Sequence, residues 1–239
     1  MKNDIFLEAV NKVVYEIANA PIRTYPFHHL YIENIFPASF YDLIQSHLPS
    51  VDEMPSIEDK TRAKGFDERF VQSFDQSLSR LPQEKYAFWN NFQKAFQGGA
   101  LPNVFLHKFN SLINERFSDQ SGISFYDEFL LILDKEGYSI SPHTDAIPKT
   151  ITSLFYLPND DSSLNLGTSI YASPTGFTDE GGPHYKRENF HLITTAPFKP
   201  NSLFCFFKSN NSWHGVENSM SSGQKRNVLL YDIYYRKNK

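Results

Sequence analysis

The 239-residue chain has almost no cysteine, no long apolar run and no excess of basic charge, and each absence removes a class of protein. Its one cysteine, Cys205, cannot form an internal disulfide. Placed in the apolar run Leu203 to Phe207, it reads as a buried, inert thiol in a reducing compartment. No stretch approaches the roughly 18 apolar residues of a membrane span. Glu8, Asn11 and Lys12 interrupt Ile5 to Val14, so that segment is no signal-peptide core. Lys and Arg number 23 against 27 Asp and Glu, a net charge of −4, so no global basic field recruits nucleic acid or anionic lipid. The expectation is a cytoplasmic protein with neither nucleic-acid nor membrane partners. Also missing are a Gly-x-Ser-x-Gly elbow, a phosphate-cradling Gly-rich loop, His-Glu-x-x-His and Cys-x-x-Cys, which removes many hydrolase, nucleotide and zinc chemistries.

What is present is a large apolar and aromatic complement, with 22 Phe and 13 Tyr, enough to build a sizeable core. The length predicts a single domain over 1–239, with residues 1–124 a mostly helical support and 125–239 a β core. In the support, Ile5, Ala9, Val13 and Ile17 recur at helical spacing and Pro21 stops the run, predicting a helix over roughly 4–19. His29 to Ile35 reads as a short strand, and Pro37 opens a second helix that Pro49 ends. Residues 50–75 are polar and weakly periodic, and read as a long loop. Helices are predicted near 83–97 and 103–117, separated by Gly98, Gly99 and Pro102.

From Phe125 the texture changes to short apolar or alternating runs broken by Gly, Pro, Asn and Asp. Eight strands are predicted: Glu128 to Leu133, Tyr138 to His143, Thr150 to Leu157, Thr168 to Tyr171, Glu188 to Thr194, Leu203 to Phe207, Trp213 to Glu217 and Arg226 to Tyr235. Eight short strands with turns between them indicate a sandwich or jelly roll rather than a helix-fed parallel sheet. The predicted class is α+β, mainly β, a double-stranded β-helix flanked by N-terminal helices.

Within that core, His143-Thr144-Asp145 places an imidazole and a carboxylate two residues apart on one face of a strand, where both can reach one cation. Alone, His-x-Asp also describes a chance or surface pair. His214 lies 69 residues beyond Asp145, just after an apolar strand that a jelly roll can return opposite His143. Two His and one carboxylate suit non-haem Fe(II), because three protein ligands leave adjacent positions open. Arg226 follows His214 by 12 residues and enters an apolar strand, where a guanidinium needs an anion. Its planar fork matches the far carboxylate of a dicarboxylate whose other end chelates the metal.

These parts occur in one order: Gly137-Tyr138-Ser139-Ile140-Ser141-Pro142-His143-Thr144-Asp145, Ile151 to Pro158 with Tyr156-Leu157, Gly167 to Tyr171, Pro200 to Phe207, His214 and Arg226. In that order, over roughly 125 to 235, the chain resembles the Fe(II)- and 2-oxoglutarate-dependent dioxygenase superfamily, near its prolyl-hydroxylase-like branch. The stretch Pro26 to Asn34 and the following Phe36-Pro37 are similar to the usual lead-in. The resemblance implies His143, Asp145 and His214 as iron ligands, and Arg226 as the partner of the distal carboxylate of 2-oxoglutarate. It also matches Tyr156 to a tyrosine that hydrogen-bonds the same carboxylate in hypoxia-sensing prolyl hydroxylases. The implied cofactor set is Fe(II), 2-oxoglutarate as co-substrate and O2, with ascorbate as an auxiliary reductant. The implied reaction is hydroxylation of an unactivated C–H bond in a prolyl, amino-acid-like or other small-molecule or peptide substrate, with release of succinate and CO2. Two departures stand out: Asp134 replaces a tyrosine of those relatives, and Gly167-Thr168-Ser169 replaces their Gly-Gly-Glu-Thr.

Two other readings remain at this level: a non-catalytic jelly-roll domain that binds a ligand or partner, and a cupin-type metalloenzyme without 2-oxoglutarate. His184, His191, Asp179 and Glu180 read as surface positions rather than as a further metal site. The stretch Ala172 to Asn189 reads equally as a lid over the site or as a surface loop.

Overall fold

The computed structural model describes residues 2–57, 65–118, 120–217 and 220–238. Part of the stretch 50–75 read as loop, positions 58–64, therefore lies outside the described residues. Among the described residues, five α-helices support ten strands: α1 Lys2–Asn19, β1 His29–Glu33, α2 Ala38–Ser46, β2 Arg69–Ser73, α3 Gln83–Phe96, α4 Ala100–Lys108, α5 Asn110–Arg116, β3 Ile123–Lys135, β4 Ile140–His143, β5 Lys149–Tyr156, β6 Ser169–Ala172, β7 His191–Thr195, β8 Ser202–Phe207, β9 His214–Val216 and β10 Lys225–Lys237. No helix among the described residues is long and apolar enough to cross a membrane.

The strands form two antiparallel sheets, a six-stranded one in the order β1-β8-β5-β10-β3-β2 and a four-stranded one in the order β4-β9-β6-β7. This is the predicted double-stranded β-helix. Both faces of the larger sheet are covered, so its strands read as nearly continuous apolar runs, and the period of two becomes visible only in what each side chain meets. On β8, Leu203, Cys205 and Phe207 join the layer under the helices, while Phe204 and Phe206 point between the sheets. On β10, Leu229, Tyr231 and Ile233 face the helices and Val228 and Leu230 face inward. The helical layer closes the outer face with stacked aromatics: α3 buries Phe88, Trp89, Phe92 and Phe96, and Phe92 and Phe96 stack at 4.3 Å.

Two expectations change in detail. The helix predicted over 103–117 starts at Ala100 and is divided at Phe109, giving α4 and α5. Pro102 does not block it, because in the first turn a proline has no intrahelical N–H bond to lose. The stretch read as loop over 50–75 contains β2, which pairs antiparallel with β3 from Arg69↔Asp134 to Ser73↔Leu130. Gln72 and Ser73 are buried there although polar. An edge strand with such residues carries no apolar alternation, and its partner strand creates it.

Candidate metal centre and co-substrate pocket

The inner face of the sandwich inherits its chemistry from strand parity. Arg226 shares the inward parity of Val228 on β10, Asp134 that of Ile132 on β3, Thr152 that of Leu154 on β5, and Arg69 that of Val71 on β2. In the smaller sheet, His143 ends β4 and His214 begins β9, and the two are paired residues in the ladder. Asp145 follows two residues after His143. The ligand atoms of His143, Asp145 and His214 all lie within 4.8 Å of one another, the one His/Cys/Asp/Glu cluster of metal-binding geometry among the described residues.

Each of these side chains is oriented by a hydrogen bond at one of its atoms. Nδ1 of His143 lies 2.9 Å from Ser141 O, and Nδ1 of His214 lies 2.9 Å from Ser212 O. The tautomer that donates from Nδ1 leaves Nε2 with its lone pair, the form a metal needs. Asp145 Oδ2 accepts from Thr152 Oγ1 at 2.6 Å, while Oδ1 lies 3.4 Å from Lys149 Nζ and 3.9 Å from His214 Nε2. Lys149 is itself paired with Asp232 Oδ2 at 2.8 Å.

Burial sets the protonation states. Desolvation, reinforced by neighbouring His214, pushes His143 down to about 3. Desolvation lowers His214 as well. Burial would raise Asp145, but Lys149 and the two imidazoles outweigh it and hold the carboxyl below its usual range. Burial likewise opposes charge on Lys149, and the Asp145 and Asp232 carboxylates overcome it. At neutral pH the cluster is thus two neutral imidazoles and a carboxylate, a donor set that fits Fe(II).

The buried histidines make the metal-free protein sensitive to acid. Their folded values lie below the ordinary 6.5, so below that pH the unfolded chain binds more protons than the folded one. Stability is therefore fully present above pH 6.5 and falls as pH drops from there toward 3. Between pH 6.5 and 5, His143 alone contributes a loss of about 1–2 kcal/mol, measurable as a lower urea midpoint. Equal midpoints at the two pH values would contradict a buried neutral imidazole.

The cluster opens into a cavity of about 100 Å³ lined also by Arg69, Tyr138, Leu154, Thr168 and Arg226. Arg226 donates from Nε to Leu166 O at 2.7 Å and from Nη1 to Asp134 Oδ2 at 2.9 Å. Its Nη2 is buried without a partner. Asp134 also accepts two bonds from Arg69, Nε to Oδ1 at 2.6 Å and Nη2 to Oδ2 at 2.9 Å. Two guanidiniums and one carboxylate leave one positive charge in excess in a buried place, with an unused donor on Arg226. A buried cation in that condition favours an anion, so the residues fit a dicarboxylate co-substrate.

Tyr156 is placed differently from the other sequence candidates. Fully buried, its hydroxyl donates to Thr168 Oγ1 at 2.8 Å and accepts from Thr168 N at 3.0 Å. It fixes Thr168, which lines the cavity, while Tyr156 does not itself line it. Sequence reasoning assigned no role to Arg69, Tyr138, Lys149, Thr152 or Asp232. The available signal was charge at inward-parity positions of apolar strands, as in Leu229-Leu230-Tyr231-Asp232-Ile233.

The segment 173–190 is fastened along the rim of the site. Thr144 Oγ1 donates to Asp179 O, Asp179 N to Asn210 O and Tyr185 N to Pro142 O. Arg187 Nη2 donates to Ile140 O and Val216 O, tying the segment to β4 and β9. Gly181, at φ +126°, passes so near that a Cβ would sit 2.0 Å from Asp145 O. His184 is exposed at the mouth, its ring 4.7 Å from that of His143. His191 is exposed on β7, and Asp179 accepts from Gly181 N and Tyr185 Oη, so these positions do not assemble a second centre.

No protein-family model and no curated protein matches the sequence. Solved structures match in fold. A Pseudomonas putida prolyl-4-hydroxylase superposes with a TM-score of 0.54 at 14% identity, over 95% of this chain and 99% of that one. AviO1 from Streptomyces viridochromogenes Tue57 superposes with a TM-score of 0.51 at 10% identity, over 95% of each chain. With its two antiparallel sheets and their helical backing, the chain has the fold of that prolyl-4-hydroxylase, a jelly roll.

Proposed function

We propose that the protein is an Fe(II)- and 2-oxoglutarate-dependent dioxygenase that hydroxylates an unactivated C–H bond of a prolyl, amino-acid-like or other small substrate. The overall change balances: substrate, 2-oxoglutarate and O2 give hydroxylated substrate, succinate and CO2. The observation that carries this reading is that three metal-type ligand atoms within 4.8 Å of one another share a cavity with a buried arginine that has an unused donor.

His143 and His214 would hold the metal through Nε2 and Asp145 through Oδ1, with Thr152 and the Nδ1 contacts orienting them. Bound Fe(II) supplies the redox chemistry that activates O2. Arg226 would anchor the distal carboxylate of 2-oxoglutarate, and Leu154, Ile140 and Leu230 would keep water from that end. Ascorbate enters as a reductant that keeps the iron ferrous. The whole chain works as one domain in this reading, because the helices cover the apolar outer face of the sheet that carries Arg226.

The test is anaerobic titration of metal-free protein with Fe(II) and 2-oxoglutarate, following the weak visible charge-transfer band of the chelate, then succinate release in air. The expected result is a band in the parent that is lost in His214→Ala and Arg226→Ala. Metal binding without a band would indicate a cupin-type enzyme that does not use 2-oxoglutarate. No metal binding would leave the non-catalytic domain.

A further inference from the structure

Among the polar atoms of the pocket, two are buried without any partner, Nη2 of Arg226 and the hydroxyl of Tyr138. Both residues line the cavity that the His–Asp–His cluster opens into. A buried hydroxyl or guanidinium nitrogen without a hydrogen bond is costly, and a native pocket that keeps two such donors is built to meet a ligand acceptor. Tyr138 is 1% exposed and Arg226 1% exposed, so water at the surface does not meet the need.

The surroundings explain why these two atoms are free. Arg226 has committed Nε to Leu166 O and Nη1 to Asp134, which leaves Nη2 as its unpartnered nitrogen. Asp134 in turn holds Arg69, whose guanidinium lies 4.0 Å over the Tyr138 ring. A cation on a ring face at that distance fixes the ring, and with it the direction of the hydroxyl. Tyr156, the tyrosine matched by sequence, already donates its hydroxyl hydrogen bond to Thr168 Oγ1.

Resting on the dioxygenase reading, we propose that Tyr138 Oη and Arg226 Nη2 together seat the distal carboxylate of 2-oxoglutarate, so that Tyr138 rather than Tyr156 supplies the second donor. The carboxylate accepts one bond from each group, and its charge balances the positive charge left over by the Arg69–Asp134–Arg226 cluster. No covalent change is involved.

The experiment is calorimetric titration of Mn(II)-loaded protein, parent and variants, with 2-oxoglutarate and with 2-oxobutyrate, which has the same oxo-acid end and no distal carboxylate. Loss of a hydrogen bond to a charged group predicts that Tyr138→Phe weakens 2-oxoglutarate about tenfold or more and leaves 2-oxobutyrate within about twofold. Tyr156→Phe is expected to weaken 2-oxoglutarate less than Tyr138→Phe does. The thermal midpoint of Tyr138→Phe should equal or exceed that of the parent, since the change removes an orphaned hydroxyl and keeps the ring.

Equal 2-oxoglutarate affinity in Tyr138→Phe and the parent overturns the proposal while leaving the dioxygenase reading intact. So does equal weakening of both ligands, which would mark a structural role, or a larger effect at Tyr156. A parent protein that binds Mn(II) and not 2-oxoglutarate overturns the dioxygenase reading itself, and this proposal with it.

Discussion

Asp145→Ala is expected to lower metal affinity by more than about 100-fold and to reduce 2-oxoglutarate-dependent succinate release to background. Loss of a group that merely orients a metal ligand already costs about 10- to 100-fold, and Asp145 is the only carboxylate of the three-residue cluster. Its Oδ2 is occupied by Thr152, and its Oδ1 lies 3.9 Å from His214 Nε2. Two neutral histidines without a carboxylate keep the site's softness toward imidazole-binding metals and lose the anion that offsets a divalent charge. The fold should survive, because Lys149 retains its pair with Asp232 at 2.8 Å. Metal affinity and urea stability measured on the same variant separate the two effects. An Asp145→Ala protein that holds metal as tightly as the parent would remove this residue from the ligand set.

Asp134→Asn is expected to have the largest effect on stability, a loss of about 3–5 kcal/mol. Asp134 is fully buried and accepts from two arginines: both oxygens from Arg69 and Oδ2 also from Arg226. Asparagine keeps the shape and removes the charge, leaving the buried guanidinium of Arg226 and the part-buried one of Arg69 without their anion, and turning one acceptor into a donor. Burial opposes the charge on Arg69, and it is the neighbouring Asp134, with Tyr138, that keeps its pKa above the ordinary value. Chemical denaturation of parent and variant, both metal-free, measures the loss. A change below about 1 kcal/mol would mean that water reaches the cluster as it reaches a surface pair. The same substitution frees Arg226 Nη1, so a changed 2-oxoglutarate affinity in the surviving folded protein is also expected.

The architecture was largely legible before any coordinates. Each of the eight strands predicted after Phe125 corresponds to a strand from β3 to β10, with ends shifted by a few residues. Turn residues and short apolar runs are local signals, and they survive in any tertiary setting. The misses share one cause. β2 is a polar edge strand whose burial comes from β3 and from the segment before it, as in the Ser56↔Phe70 bridge. The break at Phe109 comes from packing, where that ring faces Phe207 at 6.0 Å, and no helix-breaking residue marks it.

The candidate site divides along the same line. His143 and Asp145 are two residues apart, so their proximity is a property of the chain. His214 and Arg226 could be singled out because each is a polar group on or beside an apolar strand. That His143 and His214 are ladder partners is decided by the register of β4 against β9. The fastening of 173–190 over Asp145 is likewise tertiary: its bonds run to Pro142, Thr144, Ile140 and Val216 from positions far along the chain.

The sequence by itself determined the sheet-rich core, its helical support and the short list of candidates for holding a metal and a dicarboxylate. Periodicity, turn chemistry and the types of side chain are carried by neighbouring residues. Only the tertiary structure decided which donors remain free. Arg226 commits Nε and Nη1 to residues 60 and 92 positions away, Tyr156 commits its hydroxyl hydrogen bond to Thr168, and Tyr138 keeps a buried hydroxyl with no partner. Hydrogen-bond satisfaction is settled by everything that surrounds a group in space, and the strand pairing of a closed sandwich brings that surrounding from the whole length of the chain.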